Sequence, residues 1–226
     1  MKNKFKKTKE LLLNILFPPL CLSCAKNINH KREIWLCSTC LNKIKKYQKP
    51  KRIKNNIIFT TAPYEGVVKN IIHTFKYRKI KTAIKTIQKE LIHPYVKENR
   101  SYFDKKHWII TPVPIHSRKE TERGFNQSNL IAQALRHELK INNISSEIEK
   151  PLIKQKRTKP QAKLSLKERK KNLKDSFSFK KEVSIKNKNI ILVDDVYTTG
   201  STVKECLKII KKYSPNKIYV FTIAKT

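Results

Sequence analysis

Residues 190–202 read Ile-Ile-Leu-Val-Asp-Asp-Val-Tyr-Thr-Thr-Gly-Ser-Thr, and this stretch decides the fold class. The run from Ile190 to Val193 is uninterrupted and apolar, which is typical of a strand buried on both faces of a parallel sheet. Two adjacent acids, Asp194 and Asp195, come next, at the predicted carboxyl end of that strand. Open α/β sheets bind their ligands at this end of their strands.

The residues after the acids predict an anion site. The chain turns through Thr198, Thr199 and Gly200 into a helix, whose first amides and hydroxyls attract a negative group. Gly200 is one of only three glycines and stands where the backbone would approach an anion closely. Carboxylates beside such a site imply a ligand with hydroxyls and a phosphate, such as a ribose 5-phosphate. The alternatives are a satisfied acidic loop pair and an ordinary helix N-cap at Ser201 and Thr202.

The remaining periodicity predicts alternating strands and helices. Apolar residues recur at helical spacing over 67–75 and over 80–91, where Pro94 is expected to end the second pattern. Another helix is expected around 130–135, and one follows Gly200. Strands are predicted at 57–61, 107–113, 190–193 and 217–224. This alternation indicates an α/β fold with a parallel sheet flanked by helices.

The composition excludes several classes of protein. The 226 residues include 52 Lys and Arg against 17 Asp and Glu, a formal net charge of +35, yet 38% are hydrophobic. That apolar content argues against intrinsic disorder. A charge of this sign attracts nucleic acid, although most of the basic residues are lysines and genome composition is an alternative explanation.

The N-terminus is predicted to be structural rather than a targeting signal. Basic residues precede an apolar run over 11–17, but Pro18 and Pro19 end the run and no small-residue cleavage site follows. No apolar run approaches the ~20 residues that a bilayer requires. We therefore expect no membrane span and a cytoplasmic location, where thiols stay reduced.

Four of the five cysteines are spaced as metal ligands: Cys21, Cys24, Cys37 and Cys40 form two CxxC pairs separated by twelve residues. Four thiolates fill all four coordination positions of a tetrahedral ion, so they predict a structural Zn²⁺ site in a zinc-ribbon-like module. A module of this size has too small a core to fold without a bound metal ion. Two disulfides or an iron–sulfur cluster are the alternatives. We place a domain boundary near residue 50, so that residues 1–50 are the cysteine module with an N-terminal helix.

The stretch at 190–202 resembles the phosphoribosyl pyrophosphate (PRPP) signature of type I phosphoribosyltransferases. By that resemblance Asp194 and Asp195 hold the ribose 2′ and 3′ hydroxyls and serve as the catalytic acids. The 5-phosphate is then surrounded by Thr198, Thr199, Gly200, Ser201 and Thr202. Residues 51–226 would be the phosphoribosyltransferase-like domain, with a hood-like region at 57–100 and a core at 105–226.

Further motifs narrow the resemblance to the ComF family of competence-associated, phosphoribosyltransferase-like proteins. These motifs are Leu-Phe-Pro-Pro at 16–19 before the cysteines, Pro-Val-Pro-Ile at 112–115, Arg-Gly-Phe-Asn-Gln at 123–127 and Arg-Thr-Lys-Pro-Gln at 157–161. They occur in the family's order, and the similarity extends over nearly the whole chain.

The resemblance also assigns two basic segments. Arg118, Lys119 and Arg123 lie where the fold places its pyrophosphate loop, and a solvated basic turn is the alternative. A mobile loop that closes over the substrate would carry Arg157, Lys159 and Arg169; a charged linker is its alternative.

Two functions follow from the resemblance. The first is an enzyme that transfers the phosphoribosyl group from PRPP, with Mg²⁺, to an unknown acceptor and releases pyrophosphate. The second is a PRPP-sensing adaptor for DNA uptake that binds single-stranded DNA and a competence helicase or ATPase.

Overall fold

The computed structural model describes residues 19–28, 34–53, 56–77, 83–104, 106–155, 176–180 and 182–226. The expected N-terminal helix lies outside these residues, as do Arg157, Lys159 and Arg169 of the expected mobile loop. Among the described residues no helix is long and apolar enough to cross a membrane.

A six-stranded sheet in the order β1-β2-β8-β7-β3-β4 forms the centre of the molecule. Only β1 is antiparallel to its neighbour, and all other pairs are parallel. A short antiparallel pair, β5 and β6, stands apart from this sheet. Within the described residues the strands are β1 (Lys51–Ile53), β2 (Asn56–Pro63), β3 (Trp108–Pro112), β4 (Ser146–Ile148), β5 (Leu152–Lys154), β6 (Phe177–Phe179), β7 (Asn189–Tyr197) and β8 (Lys217–Lys225).

Helices cover both faces of the sheet. They are α1 (Ser38–Asn42), α2 (Gly66–Tyr77), α3 (Ala83–Ile87), α4 (His93–Glu98), α5 (Ser117–Arg123), α6 (Gln127–Ile141) and α7 (Ser201–Ile210), with a π-helical turn at Gln88–Ile92 and 3₁₀ turns at Arg100–Tyr102 and Lys211–Tyr213. The predicted α/β class with a dominantly parallel sheet is confirmed.

The run at 190–193 is fully buried because its side chains alternate between two cores. Ile190 and Leu192 pack in the core that includes residues of α7. Ile191 and Val193 pack in the larger core with α6, the helices after β2 and the cysteine segment. Burial on both faces explains why apolar and polar residues do not alternate in this strand before its acids.

The chain reverses direction across the sheet between β3 and β7. Strand β3 leads through α5 and α6 to β4 on one side, whereas β7 leads through α7 to β8 on the other. Pro112 at the end of β3 pairs with Val193, directly before the two acids. Such a switch point opens a crevice at the carboxyl ends of the strands, and ligands of open α/β sheets bind there.

Two element predictions need correction. Strand β7 does not end at the acids but continues to Tyr197, because its pairing with β8 extends to Lys225. The prediction that Pro94 ends a helical pattern is wrong: α4 (His93–Glu98) continues it, with Pro94 in its first turn. Proline is tolerated there because the first amides of a helix need no intrahelical acceptor.

Candidate functional site

The two acids at the switch point contact different elements. Oδ1 of Asp194 accepts a hydrogen bond from Oγ of Ser128 at 3.1 Å and one from the backbone N–H of Asp195 at 2.9 Å. Oδ2 of Asp195 lies 2.6 Å from Nζ of Lys76. Ser128 lies in the first turn of α6 and Lys76 in the last turn of α2, so both helices converge on the acids.

Burial and the neighbouring charge of Asp195 raise the pKa of Asp194 to about 7. Lys76 opposes this rise. Burial of the Lys76 ammonium disfavours its charge, but the two carboxylates outweigh that effect and its pKa is raised. The site therefore contains a negative pair that is only partly compensated.

The predicted phosphate loop links β7 to α7. Gly200 has φ +71° and is the N-cap position of α7. The hydroxyls of Thr199 and Ser201 lie 2.7 Å apart, and the Ser201 N–H donates to Oγ1 of Thr199 at 3.3 Å. These contacts hold the loop hydroxyls together at the start of a ten-residue helix, beside the two acids.

The predicted pyrophosphate loop is largely a helix, α5, rather than a loop. His116 caps its start through Nδ1, which accepts from the Arg118 N–H, and Gly124 at φ +77° ends it. Arg118 is paired with Glu122 in the solvent, and Arg123 donates to Oε1 of Gln127 at 3.0 Å. The structure thus places Arg118 and Arg123 in local contacts along the chain, not on the acids.

Lys119 of α5 acts on a further lysine near the acids, Lys154. Burial, and after it the charge of Lys119, lower the pKa of Lys154 to about 8, while Asp194 acts in the opposite direction. Lys154 ends β5, and its Nζ lies 5.1 Å from the ring centroid of Phe177 on β6. Lys119 and Asp194 are therefore near the same buried lysine.

The ends of the expected mobile loop lie side by side. The N–H of Gln155 donates to the carbonyl of Ser176 at 2.9 Å, directly beyond the β5–β6 pair. Leu152 and Phe177 of this pair pack in the same core as α7. Gln155 and Ser176, the described residues on either side of this segment, thus lie close to α7.

Three residues at the site were missed by the sequence analysis: Lys76, Ser128 and Lys154. No local pattern distinguishes Lys76 or Lys154 from the many other lysines. Ser128 carried a partial signal, because Asn126 caps α6 by accepting from the Ser128 N–H. Such a cap indicates a helix start but not that the serine reaches Asp194.

The four cysteines form a compact group, as predicted. Their Sγ atoms all lie within 4.8 Å of one another, and those of Cys24 and Cys37 are 3.7 Å apart. Tetrahedral Zn²⁺ with bonds of about 2.3 Å places its sulfurs about 3.8 Å apart, so this donor set fits one shared ion. Cys37 is the N-cap of α1 and Cys40 lies within that helix.

The cysteine segment packs directly on α2. Oγ1 of Thr74 donates to the carbonyl of Leu22 at 3.2 Å, and Nδ2 of Asn70 donates to Oγ of Ser23 at 3.2 Å. The helix that provides Lys76 is therefore attached to the residues around the first CxxC pair.

Comparisons with known proteins agree with this architecture. Residues 122–226 match the phosphoribosyl transferase domain family. Competence protein F of Haemophilus influenzae is 29% identical over 208 residues, which is 92% of this chain and 85% of that protein. The DNA utilization protein YhgH of Escherichia coli K12 is 27% identical over 207 residues, 92% of this chain and 84% of that protein. A hypoxanthine phosphoribosyltransferase of Staphylococcus aureus has a TM-score of 0.43 at 14% identity, with 63% of this chain and 65% of that chain covered.

The carboxyl-terminal part of the chain is the part that matches the phosphoribosyl transferase domain family. The relatives extend the match over most of the remaining sequence, including the cysteine segment. The chain is thus similar over most of its length to proteins named for competence and DNA utilization.

Proposed function

We propose that this protein binds PRPP through Asp194, Asp195 and the loop over residues 198–202. The observation that carries the proposal is the position of the acids: they lie at the switch point of a parallel sheet, beside a loop whose hydroxyls gather at a helix start. A ligand that spans both parts must present hydroxyls to the carboxylates and a phosphate to the loop.

Each part has a role in this proposal. Asp194 and Asp195 accept hydrogen bonds from the ribose hydroxyls, and the loop hydroxyls and amides hold the 5-phosphate. Arg118, Lys119 and Arg123 follow β3 and are the candidates for the diphosphate, because guanidinium groups bind phosphate oxygens in pairs. The closing segment, with Arg157, Lys159 and Arg169, would exclude water from an activated sugar.

Mg²⁺ would enter with the ligand. The raised pKa of Asp194 reflects burial and the neighbouring carboxylate, so the pair favours a cation nearby. Asp194 and Asp195 would be the residues that attract this ion, and the ion would supply neutralisation of the charge on the leaving group.

The corresponding reaction is phosphoribosyl transfer. The bond from C1 of the ribose to the diphosphate breaks, the diphosphate leaves with the electron pair, and an acceptor forms the new bond at C1. Catalysis rests on binding the leaving group and on positioning the sugar. The acceptor is unassigned, and a screen of acceptors for pyrophosphate release identifies it.

Calorimetry of PRPP binding in MgCl₂ tests the proposal with wild type and Asp195→Asn. Hydrogen bonds to a charged group contribute about 1.5–3 kcal/mol, so the variant should bind PRPP at least about tenfold more weakly. Asp104→Asn is the matched control, since Asp104 is paired with Arg100 at the surface. Equal affinity of wild type and Asp195→Asn would exclude the acidic pair from the sugar site.

A second candidate function is single-stranded DNA binding in DNA uptake. The net charge of +35 supports it, as do the names of the two relatives. In this role the PRPP site would sense PRPP, and a competence helicase or ATPase would be the partner in the cytoplasm.

The salt dependence of DNA affinity tests this second function. Binding through phosphates releases counterions, so affinity for a labelled oligothymidylate should fall by orders of magnitude between about 50 and 200 mM salt. A peptide nucleic acid of the same sequence, which has an uncharged backbone, is the control. DNA affinity that does not change with salt would contradict the electrostatic basis.

For the cysteine group we propose Zn²⁺ as the bound ion. Four thiolates in a closed set select Zn²⁺ or an iron–sulfur cluster, and the long gap between the pairs favours zinc. Metal analysis of the purified protein should find one equivalent of zinc.

A further inference from the structure

Lys76 is a partly buried cation to which the proposed function assigns no role. Its side chain is 20% exposed and that of Asp195 is 13% exposed, and their charged atoms are 2.6 Å apart. By comparison, the pairs Lys45–Glu65 and Arg118–Glu122 leave more than half of every side chain exposed. A pair this shielded requires desolvation of both ions, which is costly.

The fold does not need this ion pair to attach α2. Apolar residues along the helix are buried in the main core, and Phe75 packs on Phe125 with ring centroids 5.5 Å apart. Thr74 and Asn70 bind the cysteine segment. A well-packed apolar residue at position 76 would serve attachment as well as a lysine.

The charge of Lys76 instead acts on the two acids. Adjacent buried carboxylates disfavour double ionisation, as the raised pKa of Asp194 indicates. Lys76 supplies the compensating charge next to Asp195, and the other ionisable groups whose charges reach it are Asp194 and Tyr64. An ionised carboxylate accepts hydrogen bonds on both oxygens, whereas a protonated one loses part of that capacity.

The geometry leaves one acceptor for a ligand. Lys76 occupies Oδ2 of Asp195, and Oδ1 has no hydrogen-bond partner among the residues that the structure describes. We propose that Lys76 is a positioning residue that holds the carboxylate of Asp195 so that its second oxygen accepts a ribose hydroxyl. This inference rests on the proposed PRPP site. It specifies that the hood-like region contributes to recognition of the sugar rather than of the diphosphate.

Three ligands separate these roles. Binding of PRPP, of ribose 5-phosphate in competition with PRPP, and of inorganic diphosphate is measured for wild type and Lys76→Met. Because Lys76 acts through the hydroxyl contact, PRPP and ribose 5-phosphate should each lose about tenfold or more in affinity, by the same factor. Diphosphate affinity should not change.

Several variants control the experiment. Lys69→Met removes the same charge from an exposed position of the same helix and should leave all three affinities unchanged. Lys76→Arg should restore most of the affinity. The double variant Lys76→Met/Asp195→Asn should bind PRPP no more weakly than Asp195→Asn alone, because the lysine acts through that carboxylate. Should Lys76→Met fail to fold by thermal unfolding, Lys76→Gln replaces it, since the amide keeps a hydrogen-bond donor without the charge.

The outcomes are distinct. Wild type that binds PRPP while Lys76→Met binds it equally well would overturn the inference and leave the proposed function intact. A loss shared by PRPP and diphosphate but not by ribose 5-phosphate would also overturn it, because Lys76 would then contact the diphosphate. Wild type that binds no PRPP would refute the proposed function and, with it, this inference.

Discussion

Gly200 lies in the turn between β7 and α7, where two separate constraints act on one residue. Its φ of +71° is in the left-handed region, which costs a residue with a Cβ about 1–2 kcal/mol. A Cβ at this position would also collide with the hydroxyl of Tyr197 and lie 2.6 Å from Cζ of that ring. Any side chain at position 200 must therefore move Tyr197.

Gly200→Ala should destabilise the protein by about 2–4 kcal/mol, the sum of the backbone term and of overpacking. Gly124→Ala is the matched control, since Gly124 has φ +77° and nothing within 4 Å of an added Cβ. The control should lose only about 1–2 kcal/mol. Urea unfolding measures both, and equal losses would show that Tyr197 does not restrict the turn.

Only those site residues that lie close to one another in the sequence could be predicted from it. The acids, the loop glycine and the loop hydroxyls follow one another directly, so their spacing carried the information. Lys76 and Ser128 reach the acids from α2 and α6, and only the fold brings them there. No pattern in a single lysine-rich sequence identifies such a contact.

Among the elements, those with a long apolar pattern were predicted correctly. Strands β2, β3, β7 and β8 and the helices α2 and α6 all lie where periodicity indicated. The exceptions depend on pairing or on local geometry. Strand β7 runs past the acids because β8 is long enough to pair with it, and the helical pattern continues past Pro94 because a π-helical turn precedes α4.

Strands β5 and β6 could not be predicted from their residues. Each has only three residues, and they pair across a long stretch of chain. These two strands are stabilised by packing against α7, where Leu152 and Phe177 are buried with Val203 and Leu207. Strands β5 and β6, which flank the proposed mobile segment, are therefore held by packing that only the tertiary structure defines.

At the scale of the whole molecule, the cysteine segment and the sheet share a core. Cys21, Leu22, Leu36 and Cys40 are buried in the cluster that also contains Phe59, Phe221 and the apolar residues of α2. The N–H of Trp35 donates to Oγ1 of Thr86 at 3.0 Å, which adds a contact to α3. The segment is thus packed on α2 and α3 rather than held apart from them.

Removal of the metal should consequently destabilise the whole chain. A structural zinc site contributes several kcal/mol, and about 4 kcal/mol corresponds to a fall in Tm of about 8–16 °C for a chain of this size. A chelator or Cys37→Ser is the perturbation, and thermal unfolding is the measurement. Added Zn²⁺ should restore the chelated wild type but not the variant.

The two tryptophans allow each region to be followed separately. Trp35 reports on the cysteine segment and Trp108, which is fully buried in β3, on the sheet. In Trp35→Phe and Trp108→Phe variants the remaining tryptophan should report one common unfolding transition, and a chelator should lower the Tm of that transition in both variants. Two separate transitions would contradict a shared core.

This shared core affects how genetic experiments on the protein are interpreted. A cell clears unfolded chains continuously, so a loss of a few kcal/mol lowers the amount of protein severalfold. A strain that carries a cysteine substitution would then contain severalfold less of the whole protein, and its phenotype would shift toward that of a deletion. Only when protein abundance is quantified beside the phenotype can a role of the metal in activity be separated from its role in keeping the chain in the cell.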